Sequence, residues 1–584
     1  MPARRYQLLL LAAIILGIFY PTIFSEFCCV DDLAMIRHYH HIQSWSLKNI
    51  FIPGARGGFY YRPIVTLTFF IDKSLFGLDP SLMHLENVLI HLADAILLYY
   101  LTLQIIPREA RNSSYVPFVA ALCFGLHPLN TESVNWVSGR TDLLAGFFVL
   151  SSTLFLIRSH ISHRKRYLLL SAVAFFFGML SKEVAVALFP GLLFVSAAAK
   201  KAAREDSAVP LNVPKHRMRS GILLTMGGAI AVTFFFLFRS IALISNTSRI
   251  GMTLLFMKTD PGHTLFVFLR AFGFYMKKLF VPYPLNFAIL EADPLYELLA
   301  IPLVVLCTYI ASRRTFQAAF FMTGVFLIIP AFPIAFGQIA WMPYAERYLY
   351  LPSAFIMTAS VLFLDKILPS SVIGFGKILA IAVLTLMAFA TAQRNLTWQT
   401  NSSLFEDTIK KSPDSKEARL IYGSLLSDAG DYKKALDQFK KAGSIFTLGY
   451  DERADLYIAD ISFKQGNLEE AIRMDEAVLK KSHGTSSKAL ENLVRSLEVK
   501  LRQGKSRQDK REINKKLSEY NLKLFKINHN PHILYRLGHI AEKLGEKEKA
   551  LKFYQQALNN LPNDDEYKKY SKTRAVKLIY EIAH

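Results

Sequence analysis

Two adjacent carboxylates, Asp31 and Asp32, follow the first apolar run of the chain. Ionised side chains are costly in hydrocarbon, so the pair belongs on a water-facing rim just beyond that run. A carboxylate held there can take a proton from an attacking hydroxyl. We read Val30-Asp31-Asp32-Leu33 as the catalytic edge of a membrane-embedded transferase.

Further polar groups interrupt the apolar sequence. His127-Pro128-Leu129-Asn130-Thr131-Glu132 ends one run, and Gly139-Arg140-Thr141-Asp142 begins the next. Ser181-Lys182-Glu183 breaks a nearly continuous apolar stretch, and Glu346-Arg347 precedes another. Arg62 opens a short segment, 61–76. Each has a plain structural reading: a helix N-cap at Thr141 or Asp142, a salt-bridged turn at Lys182-Glu183, a snorkelling arginine at 347. Together they form an inventory of cations and carboxylates suited to a lipid-linked phosphate donor. The cations would take the phosphate and a carboxylate the acceptor proton.

The elements that must position these groups are membrane helices. The chain has 584 residues, of which 52% are hydrophobic and 45 are Phe. Apolar runs dominate to about Gln393, after which the composition turns to Lys, Glu, Leu and Ala. The expected organisation is all-α: a polytopic membrane domain, 1–393, with an external catalytic loop, 25–83, then a soluble helical domain, 394–584. The net charge of +22 does not imply nucleic acid, because many of the cations lie in short loops between apolar runs. Four cysteines give neither a disulfide framework nor a metal spacing.

Runs of spanning length occur near 6–24, 84–106, 115–127, 140–158, 167–181, 183–199, 220–244, 295–311, 316–336, 348–366 and 373–392. The first is read as a retained span, being too long for a signal-peptide core. Arg4/Arg5, Arg108/Arg111, Arg158 with Arg164-Lys165-Arg166, the 200–219 loop, Arg313/Arg314 and Lys366/Lys377 should be cytoplasmic, and about eleven spans satisfy all of them. Segments 61–76 and 263–281 carry charges and are left out of the count as helices that lie on the outer surface or re-enter it. Asp31, every other unusual polar motif and the C-terminal domain then share the exoplasmic side.

The C-terminal domain repeats. Gly423, Ala435, Phe439 and Ala442 match Gly538, Ala550, Tyr554 and Ala557, with Pro562 closing the second set. This is the tetratricopeptide pattern of small and aromatic positions. Ala459 and Ala471 mark a poorer copy, and the pattern degrades over 485–530. Such an array forms a concave peptide-binding surface, the other reading being a packing scaffold.

The order of motifs resembles the transmembrane and tetratricopeptide-repeat protein O-mannosyltransferases and their bacterial relatives, within the C-type glycosyltransferase fold. The matching pieces are Asp31 to Ile36, Tyr61 to Phe69, Met83 to His91, His127 to Leu144, Ser181 to Glu183 and Ala345 to Ser353. Asn130 stands where the family often has a second His. The resemblance implies transfer of a hexose, mannose by the family's habit, from a polyprenyl phosphate to Ser or Thr hydroxyls of a protein, with inversion. It makes Asp31 the base and Asp32 its orienter or an acceptor ligand. It makes Arg347, with Arg62, Arg140 or Lys182, the stabiliser of the leaving phosphate, and places His127, Glu132, Asp142, Glu183 and Glu346 in the donor site. The only cofactor-like group expected is the lipid-linked sugar donor, with no metal indicated. The expected partners are membrane lipid and a peptide held by the repeats. The expected setting is a bacterial inner membrane with periplasmic repeats, or an endoplasmic reticulum membrane with lumenal repeats. Two other readings stay open: transfer to a glycan or lipid, and a non-catalytic membrane scaffold displaying a peptide-binding array.

Overall fold

The computed structural model describes residues 2–42, 46–51, 61–106, 115–205, 216–241, 247–368, 373–504, 506–562 and 565–584. Arg108, Arg111, Lys215 and parts of the 25–83 loop lie outside the described residues. The described chain is helical throughout, with one isolated bridge, Ile289 to Tyr344. It divides into two compact units, Met1–Pro413 and Asp414–His584. The sequence boundary at 393/394 and this one differ by the helix Asn401–Lys411, which belongs to the first unit.

Among the described residues, seven helices of the first unit are long and apolar enough to cross a membrane: Arg4–Phe24, Pro80–Ile105, Val137–Ser162, Glu183–Ala202, Phe316–Phe336, Glu346–Ile367 and Gly376–Thr397. Val116–Gly125, Met226–Ser240 and Leu295–Ala311 are shorter apolar helices. Leu9, Leu298, Val305, Ile378, Leu386 and Phe389 point outward, as lipid-facing side chains do when neighbouring helices supply the buried contacts. The central helix, Pro80–Ile105, starts where Asp79 caps Leu82 N, with Pro80 in the first turn.

Segment 61–76 is the helix Pro63–Phe76, ended by Gly77 in the left-handed conformation. At 14 residues it is ~21 Å long, too short to span ~30 Å of hydrocarbon. Segment 263–281 is the helix Pro261–Phe280, capped by Asp260 on His263 N. Its buried face, including Phe274, Tyr275 and Lys278, packs into the unit.

Asn395 and Asn401, two Asn-x-Ser/Thr positions, hold this unit together. Asn395 is buried between Asn135 Nδ2 (2.7 Å) and Ile18 O (2.8 Å). Asn401 Oδ1 accepts from Cys29 N (2.8 Å), and its own N donates to Glu26 (3.0 Å). Two further such positions, Asn112 and Asn246, lie outside the described residues. These bonds set the helix Asn401–Lys411 against the loop that leads to Asp31.

The second unit is a stack of helix pairs: Lys416–Asp428 with Tyr432–Ser444, Arg453–Lys464 with Leu468–Lys481, Ser487–Gln503 with Arg507–Asn528, and His532–Leu544 with Lys547–Asn560. Glu566–Ala583 closes it. The region 485–530, where the sequence pattern fades, still forms a pair. Its helices run to 17 and 22 residues, long enough to bury Leu490, Leu493, Leu497, Leu517 and Leu524 without the usual Gly-aromatic contact.

Candidate functional site

Asp31 is the N-cap residue of the helix Asp32–His41. That short helix is fixed at both ends. At its C-terminus Lys73 Nζ donates to the carbonyls of Tyr39 (2.8 Å), His40 (3.1 Å) and Ile42 (2.5 Å), a cation where the helix dipole is negative. Met35, Ile36 and Tyr39 pack against Val65, Phe69 and Val137. At its N-terminus Asp32 is fully buried. Its Oδ2 accepts from Cys28 N (3.0 Å), and its Oδ1 accepts from Ser138 N (2.9 Å) and Ser138 Oγ (2.5 Å).

The two carboxylates are therefore unlike. Asp32 is surrounded by donors and ties the loop to the turn before helix Arg140–Ser162; burial still pushes its pKa up to about 6 against those hydrogen bonds. The Asp31 side chain is exposed and makes no hydrogen bond or ion pair among the described residues. Protein crowded along its flank raises its pKa, opposed by the charges of Arg347 and Arg62.

The cations around Asp31 are each held by an acid. Arg62, at the start of Pro63–Phe76, makes a bidentate pair with Glu183 through Nε (3.0 Å) and Nη2 (2.8 Å). Arg347 donates to Glu132 from its backbone N (3.1 Å) and from Nη1 (2.5 Å), and its guanidinium lies over the rings of Trp136 (5.2 Å) and Tyr348 (5.0 Å). Lys182 reaches Asp142 Oδ1 at 2.5 Å and sits 5.9 Å from the Tyr348 ring centroid. In the turn between two helices, Lys182 has its pKa lowered by burial first; Asp142 opposes this, and Arg62 and Arg347 add to it. Asp31, Arg62, Lys182 and Arg347 thus form one electrostatic group, with Glu132, Asp142 and Glu183 as its holders. Bidentate and stacked arginines keep their planes fixed, which is what a preorganised anion site needs.

Three expected site residues are not turned to this group. Arg140 is the largest fully buried side chain. It donates to Asp72, to Asn87 Oδ1 (3.0 Å) and to Met83 O (3.1 Å), pairs with Glu86 (3.0 Å) and lies over Phe69 (4.8 Å). Its donors are already satisfied by protein, so the expectation of a phosphate ligand is corrected to a structural hub. His127 is buried, with Nε2 at 2.9 Å from Leu279 O and Nδ1 accepting from Leu129 N (3.4 Å). Glu346 turns to Lys278 Nζ (2.8 Å) and Asn286 N (2.9 Å). Asn130 also builds structure: it donates to Phe124 O (2.8 Å) and accepts from Ser353 Oγ (3.3 Å).

Ser138, Trp136 and Tyr348 escaped the sequence reading. Ser138 positions Asp32, and the two rings support the cations. The signal was the run Asn135-Trp136-Val137-Ser138-Gly139, read only as a loop. Gly139 approaches the Ser133 carbonyl so closely that a Cβ would lie 2.4 Å from its oxygen.

A family model described as tetratricopeptide repeat matches residues 531–564. A protein O-mannosyl-transferase of Caenorhabditis elegans is 23% identical over 392 residues, covering 64% of this chain and 52% of that protein. A protein O-mannosyl-transferase of Mus musculus is 26% identical over 164 residues, 26% of this chain and 18% of that protein. The chain spans about half the length of the first relative, at 52%, and less of the second. Among solved structures, the crystal structure of MamA protein is 17% identical and covers 27% of this chain and 80% of that one, with a TM-score of 0.22, too low to bear on the fold. The resemblance to O-mannosyltransferases carrying tetratricopeptide repeats thus stands on named relatives as well as on motifs. The chain is a membrane-type protein with a repeat unit of protein-binding architecture.

Proposed function

We propose that the chain is a membrane glycosyltransferase for protein O-mannosylation, drawing mannose from a polyprenyl-phosphate donor at the exoplasmic rim. The observation that carries this reading is the open carboxylate of Asp31 beside Arg347 and Arg62, cations that acids hold in place. Asp31 takes the proton of a Ser or Thr hydroxyl as its oxygen attacks the anomeric carbon. The sugar–phosphate bond breaks on the opposite face, the electron pair leaves with the phosphate, and the configuration inverts. Arg347, Arg62 and Lys182 offset the developing charge. The relatives' names support mannose and a protein acceptor, and the repeat unit supplies a surface for the acceptor chain. The helix Asn401–Lys411, tied to the Asp31 loop, favours repeats on the same side. That side is the periplasm of a bacterial inner membrane or the lumen of the endoplasmic reticulum.

Single-turnover transfer from polyprenyl-phosphate mannose to an acceptor peptide tests the reading. Asp31→Asn should lose ~10²–10⁴-fold while donor binding persists, because Asn is nearly isosteric but takes no proton. Asp32→Asn should lose less, by misplacing the loop. Full turnover in Asp31→Asn removes the carboxylate from the mechanism. Label appearing in glycolipid instead of peptide moves the acceptor.

The same assay against pH gives a second test. The base works ionised, so turnover is present above the Asp31 pKa and lost as pH falls through it. Because that pKa is raised, half-loss should come above the ordinary Asp value of ~3.9. A profile flat to pH 4 would contradict the assignment.

A further inference from the structure

The last apolar span ends at Thr397, and after a short bend the helix Asn401–Lys411 begins with a capping box at Thr400 and Ser403. Arg394, on the span, pairs with Asp407 on the helix (2.7 Å) and ties the two together. Asn401 and Phe405 are four positions apart and share one face of this helix. One reaches the loop of the proposed base, the other the turn of the proposed phosphate arginine.

The Asn401 end holds the acid. Its Oδ1 accepts from Cys29 N (2.8 Å), and its Nδ2 donates to Phe27 O (2.9 Å) and Glu26 Oε2 (3.1 Å). Asp32 fixes the same loop to Ser138, and Asn401 gives it a second hold. The Phe405 end holds the cation. Phe405 is fully buried and stands edge-on to Phe287 at 5.8 Å; Phe287 stands edge-on to Trp136 at 5.8 Å; Trp136 carries the Arg347 guanidinium at 5.2 Å. Trp398, in the bend before the helix, completes the column at 5.3 Å from Phe287 and 6.5 Å from Trp136. Just past the helix, Ser412 Oγ donates to Ala288 O (2.5 Å) and accepts from Asn286 Nδ2 (2.8 Å), while Asn286 N donates to Glu346, the neighbour of Arg347, at 2.9 Å. Ordinary packing accounts for a helix that covers the end of a bundle. It does not require its contacts to run to both groups that must face each other across the reacting bond.

We infer that Asn401 and Phe405 are positioning residues of the transfer reaction, through which one helix keeps the Asp31 carboxylate and the Arg347 guanidinium in register. The inference rests on the proposed transfer. Single-turnover transfer from polyprenyl-phosphate mannose to an acceptor peptide, with donor affinity measured separately, tests it on the full chain in detergent. Asn401→Ala should lower the rate at saturating donor about tenfold or more and leave donor affinity unchanged, because only the base is displaced. Phe405→Leu should weaken donor affinity about tenfold or more, because the arginine that meets the phosphate is displaced. Glu406→Ala, on the exposed side of the same helix, should change neither. A merely structural role would lower the reactive fraction and leave the rate and affinity of that fraction as they were. Cooperative thermal unfolding reports folding of each variant; where one does not fold, Glu26→Ala replaces Asn401→Ala and Ser412→Ala replaces Phe405→Leu, since they loosen the same two holds. Wild-type values in the folded variants, losses of rate and affinity that are alike in both, or an effect at only one of the two residues overturns the inference while the transfer reading stands. Full turnover in Asp31→Asn overturns the transfer reading instead.

Discussion

The two units use charge in opposite ways. The first contains buried ion pairs: the side chains are 0% and 1% exposed in Arg140–Asp72, 7% and 3% in Lys182–Asp142, and 4% and 1% in Lys278–Glu346. In the second, pairs such as Lys441–Asp437 and Lys488–Glu491 are about half exposed. Its first and last pairs set small residues against rings, Gly423 on Phe439 and Gly538 on Tyr554. Buried pairs specify geometry at a high desolvation cost, and exposed pairs contribute little. The first unit thus commits these buried charges to fixing positions. The second holds its shape largely by packing.

The contrast can be broken most severely at Arg140. Arg140→Met leaves Asp72 as a buried carboxylate without its main partner, which should cost ~3–5 kcal/mol. All four tryptophans lie at or before Trp398, so fluorescence during unfolding in detergent reports the first unit alone. Adding Asp72→Leu should recover much of the loss, because the stranded charge is gone. Unchanged unfolding in Arg140→Met would mean that the buried Arg140–Asp72 pair is not what fixes the helices.

Arg347 sharpens the distinction between charges that hold and charges that act. Arg347→Ala leaves the buried Glu132 carboxylate with the backbone N of residue 347 as its remaining donor, so unfolding is measured beside turnover. Transfer should still lose one charge-assisted hydrogen bond in the transition state, ~1.5–3 kcal/mol, or roughly 10–100-fold in kcat/KM. Arg347→Lys should restore only part, since an ammonium lacks the planar fork. Near-normal turnover in a folded Arg347→Ala variant would make Arg347 an anchor.

Much of this division was legible in the chain. Apolar runs marked the helices, because a membrane span needs length and little else. The Gly-Ala-aromatic offsets marked the first and last repeat pairs, because their packing depends on those few positions. What stayed hidden was the direction of polar side chains. Arg62, Arg140 and Arg347 look alike in sequence, each at a helix start. Only the folded positions of Glu183, Asp72 and Glu132 make the first and last members of the Asp31 group and the middle one a hub. The pair Asp31-Asp32 was equally ambiguous: adjacent residues at a helix start point apart, and Ser138, more than a hundred positions on, decides which one is bound. The middle repeat pair was faint because its long leucine-lined helices do not use the small-aromatic contact.

The smallest expected effect tests the packing half of the contrast. A Cβ on Gly538 would lie 2.7 Å from Tyr554 Cε1 and 2.8 Å from Cδ1. The ring cannot easily retreat: it is fully buried, and its OH donates to Glu542 Oε2 at 2.6 Å. Overpacking of this kind costs ~1–3 kcal/mol, while Ala in a helix regains up to ~1 kcal/mol over Gly. Gly538→Ala should therefore destabilise modestly and locally. Hydrogen exchange on the full chain would show it as faster exchange confined to His532–Leu544 and Lys547–Asn560, with the first unit unchanged. Tyr554→Leu added to Gly538→Ala removes the ring that the methyl meets, so the two changes together should cost less than their sum. Additive costs, or slower exchange in Gly538→Ala alone, would show that this repeat does not depend on the Gly–Tyr contact and that its packing follows the leucine-lined middle pair instead.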